Sequence, residues 1–361
     1  MKKSVWLSKI SIRARQKRIL RKKAQRKKEI KRKRALAQGV CKEELKWRNI
    51  YKRNFYDYIK IPAPDNLSLI DNTESVLHFI SRLRECFEKK KKVFINLSRV
   101  SNISGDGILI LLSNLVLFKT RKIKFNGNYP KDKKTRTKLE KTCFYDAIYN
   151  FNYAEESKYD LTKNDIFTHA QKNVDSQLTA DLITKNSAYL WGEERRCTGL
   201  QRVFLELMQN TNNHASKIIG DKYWWLNMEK KKDPKRICFS FIDYGMGIFK
   251  SLDNKPITDK LYDWVKKISP WCNPQNHAEL LKNIFEGTFH KTVTGKEYRG
   301  KGIPGIYNRL KTGYISNLVL ISNDSMGKPN EDKYEILDNK LNGTFVYIEI
   351  DAQCKNLPLA V

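Results

Sequence analysis

The positive charge of this chain is concentrated in residues 1–34, which limits where a folded core can form. This segment contains 17 Lys or Arg against one acid, Glu29, a balance of +16 in a chain whose net charge is +31. Repulsion prevents such a segment from packing on itself, although its residue types favour helix. We therefore predict a basic tail over residues 1–50. Residues 1–34 of it would be either an arm that binds nucleic acid or another polyanion, or a solvated extension.

The rest of the chain has the composition of a folded, cytoplasmic protein. Hydrophobic residues make up 40% of the sequence, which suffices for packed cores. The seven cysteines are scattered and form no C-x-x-C pair, which is typical of reduced thiols. The longest apolar run, Ile108–Leu112 with Leu115–Phe118 after it, is too short to span a bilayer. No secretory signal and no transmembrane segment are expected.

Short apolar strands alternate with helical patterns between residues 51 and 155, which predicts a small α/β domain. The predicted strands are Tyr58–Ile61, Leu67–Ile70, Val93–Leu97 and Ile123–Phe125, and the predicted helices are Glu74–Lys89, Gly107–Phe118 and one containing Leu139, Phe144 and Ile148. The polar residues 151–165 indicate a boundary. Beyond it, Thr168–Tyr189 is predicted as a polar helix of a second domain, residues 160–361.

The stretch Val93–Leu112 leads from a buried strand through a Ser/Gly turn into an apolar helix. It resembles the STAS fold of anti-sigma-factor antagonists, in which a strand enters an Asp-Ser-Ser-Gly turn. The resemblance implies that Ser104 is a candidate phosphoacceptor, although Asn102 and Ile103 replace the Asp-Ser of the family. In a simpler interpretation, the Ser104 hydroxyl caps the helix.

A helix of the second predicted domain carries two polar residues suited to magnesium nucleotide chemistry. Glu206 and Asn210 are four positions apart, so both project from one face of the helix that begins near Leu200. An amide oxygen can ligate Mg²⁺, and a carboxylate can orient or deprotonate a nucleophile. Alone, this pair is common on exposed helices.

Two glycine-containing turns follow. Asp243 ends an apolar strand and precedes Gly245 and Gly247, so its carboxylate can accept a hydrogen bond while the glycines permit close approach of a ligand. A simple Asp-x-Gly turn at the end of a strand, with no ligand, would have the same sequence. Further on, three glycines precede a helix whose free N–H groups can hold phosphate: Gly300, Gly302 and Gly305.

The order and spacing of these elements resemble the N, G1 and G2 boxes of the GHKL (histidine-kinase-like, Bergerat-fold) ATPases. The likeness covers about residues 168–352 and includes a lid-like segment from Glu286 to Gly300 and a closing Gly343-Thr344. It implies an α/β sandwich in which helices cover one face of a mixed sheet. It also implies ATP and Mg²⁺ as cofactors.

Carried onto this sequence, the resemblance assigns roles residue by residue. Asp243 would bind adenine with support from Thr344, and Gly245 and Gly247 would shape the base pocket. Asn210 would ligate Mg²⁺, and Glu206 would be the general base. The phosphates would be held by Gly300, Gly302 and Gly305, where Pro304 departs from the family pattern by removing one N–H.

The sequence therefore predicts a cytoplasmic switch with a STAS-like domain (51–155) and a GHKL domain (160–361). Its function would be Mg²⁺-dependent ATP binding with slow hydrolysis or phosphoryl transfer to a protein partner, either STAS-like or regulatory. Three alternatives stay open: an ATP-gated nucleic-acid-binding protein that uses the basic tail, a histidine kinase, and a pseudo-enzyme that only binds nucleotide. No histidine has the context of an autokinase, which disfavours the second.

Overall fold

The computed structural model describes residues 17–27, 29–30, 33–34, 55–142, 144, 148, 166–171, 173–214, 224–249, 276–287 and 302–355. The chain divides into two compact units, Met1–Tyr58 and Ile59–Val361. In the first unit, the described residues from 17 to 34 are helical and all of their side chains are exposed. We call these residues the basic arm.

The second unit begins with a small parallel sheet and its helices, here called the N-terminal section (residues 59–148). Its three-stranded sheet has the order β1-β3-β5, and a second parallel pair joins β2 to β4. The strands are β1 (Ile59–Pro62), β2 (Asn66–Leu67), β3 (Val93–Asn96), β4 (Asn102–Ile103) and β5 (Phe125–Gly127), and the helices are α1 (Thr73–Glu88), α2 (Gly105–Thr120) and α3 (Lys133–Lys141). The predicted alternation of strands and helices is confirmed, except that α3 ends at Lys141 and does not reach Phe144 and Ile148 as predicted.

Helix α2 begins where its sequence offers a cap. The Ser104 hydroxyl accepts a hydrogen bond from the Gly107 N–H at 3.4 Å, so the predicted capping role is confirmed. From Gly105 to Phe118 every residue of α2 is buried. A helix that is apolar on all sides requires neighbours on all sides.

A five-stranded antiparallel sheet forms the C-terminal section (residues 166–355). Its order is β6-β7-β8-β10-β9, and every neighbouring pair is antiparallel, so the expected mixed sheet is wrong for the described strands. The strands are β6 (Ile166–Gln171), β7 (Trp224–Lys231), β8 (Arg236–Asp243), β9 (Asn317–Lys328) and β10 (Lys333–Asp351), and the helices are α4 (Ser176–Trp191), α5 (Thr198–His214), α6 (His277–Glu286) and α7 (Gly302–Lys311). The class is α/β, as predicted.

Both faces of this sheet are covered. Consecutive strand residues point to opposite faces, so each strand contributes side chains to both cores. Helices α4 to α7 pack on what we call the helix face, against Trp224, Leu226, Met228, Phe239, Phe241, Leu318, Leu320, Val346 and Ile348. The N-terminal section packs on the opposite, N-terminal face, against Trp225, Cys238, Ile242, Val319, Ile321, Phe345 and Tyr347. Helices were expected on one face only, and the cover on the other face was not predicted.

Two local expectations need correction. The helix predicted over Thr168–Tyr189 starts only at Ser176, where Asp175 caps α4 by accepting from the Leu178 N–H at 2.8 Å. The residues before it form β6, which pairs with β7 at the sheet edge. The strand predicted over Leu67–Ile70 is limited to Asn66–Leu67, because the following residues turn toward α1. The domain boundary predicted within residues 151–165 lies outside the described residues.

None of the described helices is both long enough and apolar enough to cross a membrane.

Candidate functional site

Strand pairing brings Asp243 and Thr344 together. Asp243 ends β8, and the register places Thr344 of β10 directly opposite it. Ile242 and Tyr244 belong to the core of the N-terminal face, so alternation points the Asp243 side chain to the helix face. The structure therefore joins two residues that the sequence analysis selected from separate motifs.

The Asp243 carboxylate is half-buried and carries one hydrogen bond from its own turn. Its Oδ1 accepts from the Gly245 N–H at 2.8 Å. Burial raises the pKa of Asp243 from its ordinary 3.8 to about 6, and the Gly245 bond opposes this rise. No hydrogen bond to the second oxygen, Oδ2, is seen from the residues that the structure describes. That oxygen can accept a hydrogen bond from a ligand.

Glycine is required at two positions beside Asp243. Gly343 has φ +131°, and a Cβ there would lie 1.9 Å from the Asp243 carbonyl oxygen. Gly247 has φ +75°, and its Cβ would lie 2.4 Å from the Asn323 Oδ1. Any side chain at either position would displace the strand end or the loop that follows it. The motif glycines thus allow close backbone packing around Asp243.

Ser322 and Asn323 hold that loop, and the sequence analysis missed both. The Ser322 Oγ accepts from the Ile248 N–H at 2.9 Å and donates to the Gly343 carbonyl at 3.1 Å. The Asn323 side chain accepts from the Phe249 N–H at 3.2 Å and donates to the Met246 carbonyl at 3.0 Å. The signal in the sequence was the run of four polar residues, 322–325, that directly follows the apolar residues of β9.

A second group of predicted residues meets where α5 and α7 pack together. A Cβ at Gly302 would lie 3.1 Å from the Asn210 Nδ2, and one at Gly305 would lie 3.6 Å from the Glu206 Oε2. Glu206 and Asn210 therefore lie beside the first turn of α7, whose N–H groups have no partner within the helix. Helix α7 starts at Gly302 itself, so Gly305 lies inside the helix rather than before it. Pro304 occupies the first turn, where its missing N–H costs no helical bond.

Two arginines near this contact were also missed. The Arg202 Nε lies 3.3 Å from the Glu206 Oε1, one helical turn away on α5. The Glu206 side chain is 22% exposed, which leaves it open to solvent on one side. At the start of α5, a Cβ on Gly199 would lie 3.3 Å from the Arg309 Nη1 of α7. Cationic side chains therefore accompany the acid along this helix pair.

Part of the predicted phosphate loop and lid lies beyond the described residues. Gly300 and the lid-like residues 288–300 lie outside the described residues, although Gly287 ends α6 with φ +74°. The described part of the chain has no group of three or more His, Cys, Asp or Glu side chains that could hold a metal ion. Magnesium in nucleotide sites needs only one or two protein oxygens besides phosphates and waters, so Asn210 suits it.

Comparison with known proteins returned no match. Neither a scan against models of protein families, nor a search of curated proteins, nor a search of solved structures found a similar sequence or fold. The interpretation of this site therefore rests on its residues and their geometry.

Proposed function

We propose that the C-terminal section binds ATP with Mg²⁺ in the manner of the GHKL ATPases. The observation that carries the proposal is the pairing of Asp243 with Thr344 on the face of the sheet that α5 and α7 cover. A half-buried carboxylate with an available oxygen, at a strand end surrounded by glycines, suits an adenine amino group.

The α5–α7 contact is the proposed phosphate end of the site. The first turn of α7 offers N–H groups to an anion, and Gly302 permits close approach. The Asn210 amide oxygen would hold Mg²⁺, which would neutralise phosphate charge. Glu206, half-buried and paired with Arg202, would orient or deprotonate the attacking group.

The proposed output is slow hydrolysis or phosphoryl transfer to a protein partner. The N-terminal section, which we interpret as STAS-like, offers Ser104 as an internal acceptor. Ser104 is only 6% exposed, and the neighbouring Gly105 N–H donates to the Glu229 carboxylate of β7 at 2.8 Å. Since this hydroxyl is enclosed between the two sections, a separate protein is the favoured acceptor.

Calorimetry with ATP, with and without Mg²⁺, tests the proposal. We expect Asp243→Asn to weaken binding by roughly 1.5–3 kcal/mol, the usual value of a hydrogen bond to a charged group. Asp351→Asn is the matched control: Asp351 lies at the other end of the same strand pair, and its Oδ1 accepts from the Gln353 N–H at 2.9 Å, as Asp243 accepts from Gly245. Equal affinity in the two variants would refute the assignment of Asp243.

Phosphate release on the same samples separates catalysis from binding. Glu206→Gln keeps the size of the side chain and removes its basicity, so we expect nucleotide affinity within about twofold of wild type and at least a hundredfold loss of turnover. Unchanged turnover would exclude Glu206 as the base. Binding without any release or transfer in the wild type would favour the pseudo-enzyme.

The basic arm supports a second candidate function, binding of nucleic acid. The described arm carries nine cations, namely Lys17, Arg18, Arg21, Lys22, Lys23, Arg26, Lys27, Lys33 and Arg34. They are spread around the helix, and the exposed Ile19, Leu20 and Ile30 form no continuous apolar stripe. A charge on every side suits a groove with phosphates on both walls better than a membrane surface, which needs an apolar face.

A gel-shift titration with duplex DNA at several salt concentrations tests this candidate. We expect replacement of Lys22, Lys23 and Lys27 by Gln to reduce the salt slope by about one unit per lost phosphate contact. The control removes the same charge from the exposed face of α3, with Lys133, Lys134 and Lys141 changed to Gln. Absence of a shift at low salt, or equal loss in both variants, would contradict the role of the arm.

A further inference from the structure

Two polar residues interrupt the apolar helix α2, and both are completely buried. Ser113 and Asn114 are 0% and 1% exposed, yet their neighbours along the helix are apolar. A buried polar group without a partner costs free energy, so their presence requires an explanation. Their partner is the Tyr244 hydroxyl, which lies 2.6 Å from the Ser113 Oγ and 2.8 Å from the Asn114 Nδ2.

Further hydrogen bonds hold these polar groups. The Ser113 hydroxyl and the Asn114 amide both donate to the Ile110 carbonyl, at 3.1 and 2.7 Å. The Tyr244 oxygen also accepts from the Asn114 amide, and either oxygen can be the donor between Tyr244 and Ser113. The three polar side chains therefore form one connected network.

Arg84 of α1 completes the contact. Its guanidinium lies over the Tyr244 ring, 4.2 Å from the centroid, and its Nε donates to the Asn114 Oδ1 at 2.8 Å. Stacking of a cation on the ring adds to the hydrogen bonds at the hydroxyl. Helices α1 and α2 of the N-terminal section therefore hold the same tyrosine.

Tyr244 is the residue between Asp243 and Gly245. Its side chain enters the N-terminal face, whereas Asp243 points to the helix face. On the other side of the turn, Gly343 packs so closely that a Cβ there would lie 2.9 Å from the Tyr244 Cα. The turn that presents the Asp243 carboxylate is thus held on one side by Gly343 of the sheet and on the other by the contacts of the N-terminal section to Tyr244.

We propose that Tyr244 is a positioning residue of the nucleotide site, through which Ser113, Asn114 and Arg84 set the orientation of Asp243. The inference rests on the proposed function, because it assigns a role relative to bound ATP. It gives the N-terminal section a part in nucleotide affinity although that section packs on the sheet face opposite to the Asp243 side chain. A change that shifts α2 relative to the sheet would alter ATP binding.

Tyr244→Phe tests this by removing only the hydroxyl. We expect ATP affinity, measured well below the unfolding temperature, to fall about tenfold. Tyr347→Phe is the matched control: Tyr347 is buried in the same core, and its hydroxyl donates to the Glu349 Oε1 at 2.5 Å, away from Asp243. It should leave affinity unchanged. Ser113→Ala should weaken binding alone but add nothing to Tyr244→Phe.

Amide hydrogen exchange gives a readout that needs no nucleotide. The Gly245 N–H bonds to the Asp243 carboxylate, so a loosened turn should exchange faster. We expect the Gly245 amide to exchange about tenfold faster in Tyr244→Phe than in the wild type. Its exchange rate should be unchanged in Tyr347→Phe. Unchanged exchange, or ATP affinity equal to wild type, would overturn the role of Tyr244. Failure of the wild type to bind ATP would instead refute the proposed function, and the exchange result would still decide whether Tyr244 positions the turn.

Discussion

Asp243 is held in surroundings that do not favour its charge. Burial raises its pKa to about 6, yet the proposed contact with an adenine amino group requires the ionised carboxylate. In the folded protein the ionisation of this carboxylate therefore costs more free energy than it does in the unfolded chain. Such opposition between stability and ligand binding is common at functional sites.

Asp243→Asn should accordingly stabilise the folded protein and at the same time weaken ATP binding. Because the folded pKa of about 6 exceeds the unfolded 3.8, the wild type loses stability as the pH rises through this window. The variant has no such loss. We expect its advantage in unfolding free energy to grow between pH 4 and pH 7.5 by about 2 kcal/mol at most, since partial exposure weakens the effect. Thermal unfolding across this range checks it; a constant difference would mean that Asp243 titrates normally.

At the scale of elements, a register irregularity in β10 shapes the site. The pairing of β10 with β9 shifts between Leu341 and Thr344, and Gly343 lies within this shift. A bulge locally bends a strand and changes the direction of its side chains. The irregular strand thus places Thr344 opposite Asp243 and brings the Gly343 backbone close to the Asp243 carbonyl oxygen.

Gly343→Ala should therefore destabilise the sheet and displace Asp243. Gly192, which ends α4 with φ +80°, has open space around its Cβ position and is the matched control. We expect Gly192→Ala to cost about 1 kcal/mol from its backbone angle alone, and Gly343→Ala more than about 2 kcal/mol together with weaker ATP binding. Urea unfolding measures both. Equal costs would show that the contact with Asp243 is easily relieved.

The sequence predicted those parts that depend on local pattern. The cap at Ser104, the end of β8 at Asp243 and the shared face of Glu206 and Asn210 all follow from spacing within a few residues. What it could not predict depends on pairing across the chain. Strand β6 is an edge strand whose partner β7 lies far along the sequence, and Ser322 and Asn323 act only on a loop of another strand.

For the whole molecule, the covered N-terminal face of the sheet makes the two sections interdependent. Trp225, Ile242 and Phe345 of the C-terminal section share one core with α1 and α2. Each section on its own would expose this apolar surface to water, which is unfavourable in proportion to its area. The polar contacts to Tyr244 and Glu229 cross the same boundary.

A fragment of residues 160–361 should therefore fail to fold cooperatively. We expect it to bind the dye ANS and to lack a sharp thermal transition, because one face of its sheet is uncovered. A chain of residues 51–361, which lacks only the tail, should melt like the full protein. Calorimetry of the three chains checks this, and a fragment that melts at the temperature of the full protein would contradict the dependence on the N-terminal section.

The burial of α2 on all sides also affects how the chain is synthesised. A ribosome completes this apolar helix long before it makes β10, whose last residue is Asp351. During that interval the nascent chain carries an apolar helix that the sheet cannot yet cover. Exposed apolar surface on incomplete chains promotes aggregation and is the usual target of chaperones. Production of this protein in cells should therefore depend on chaperone supply more than its final stability would indicate.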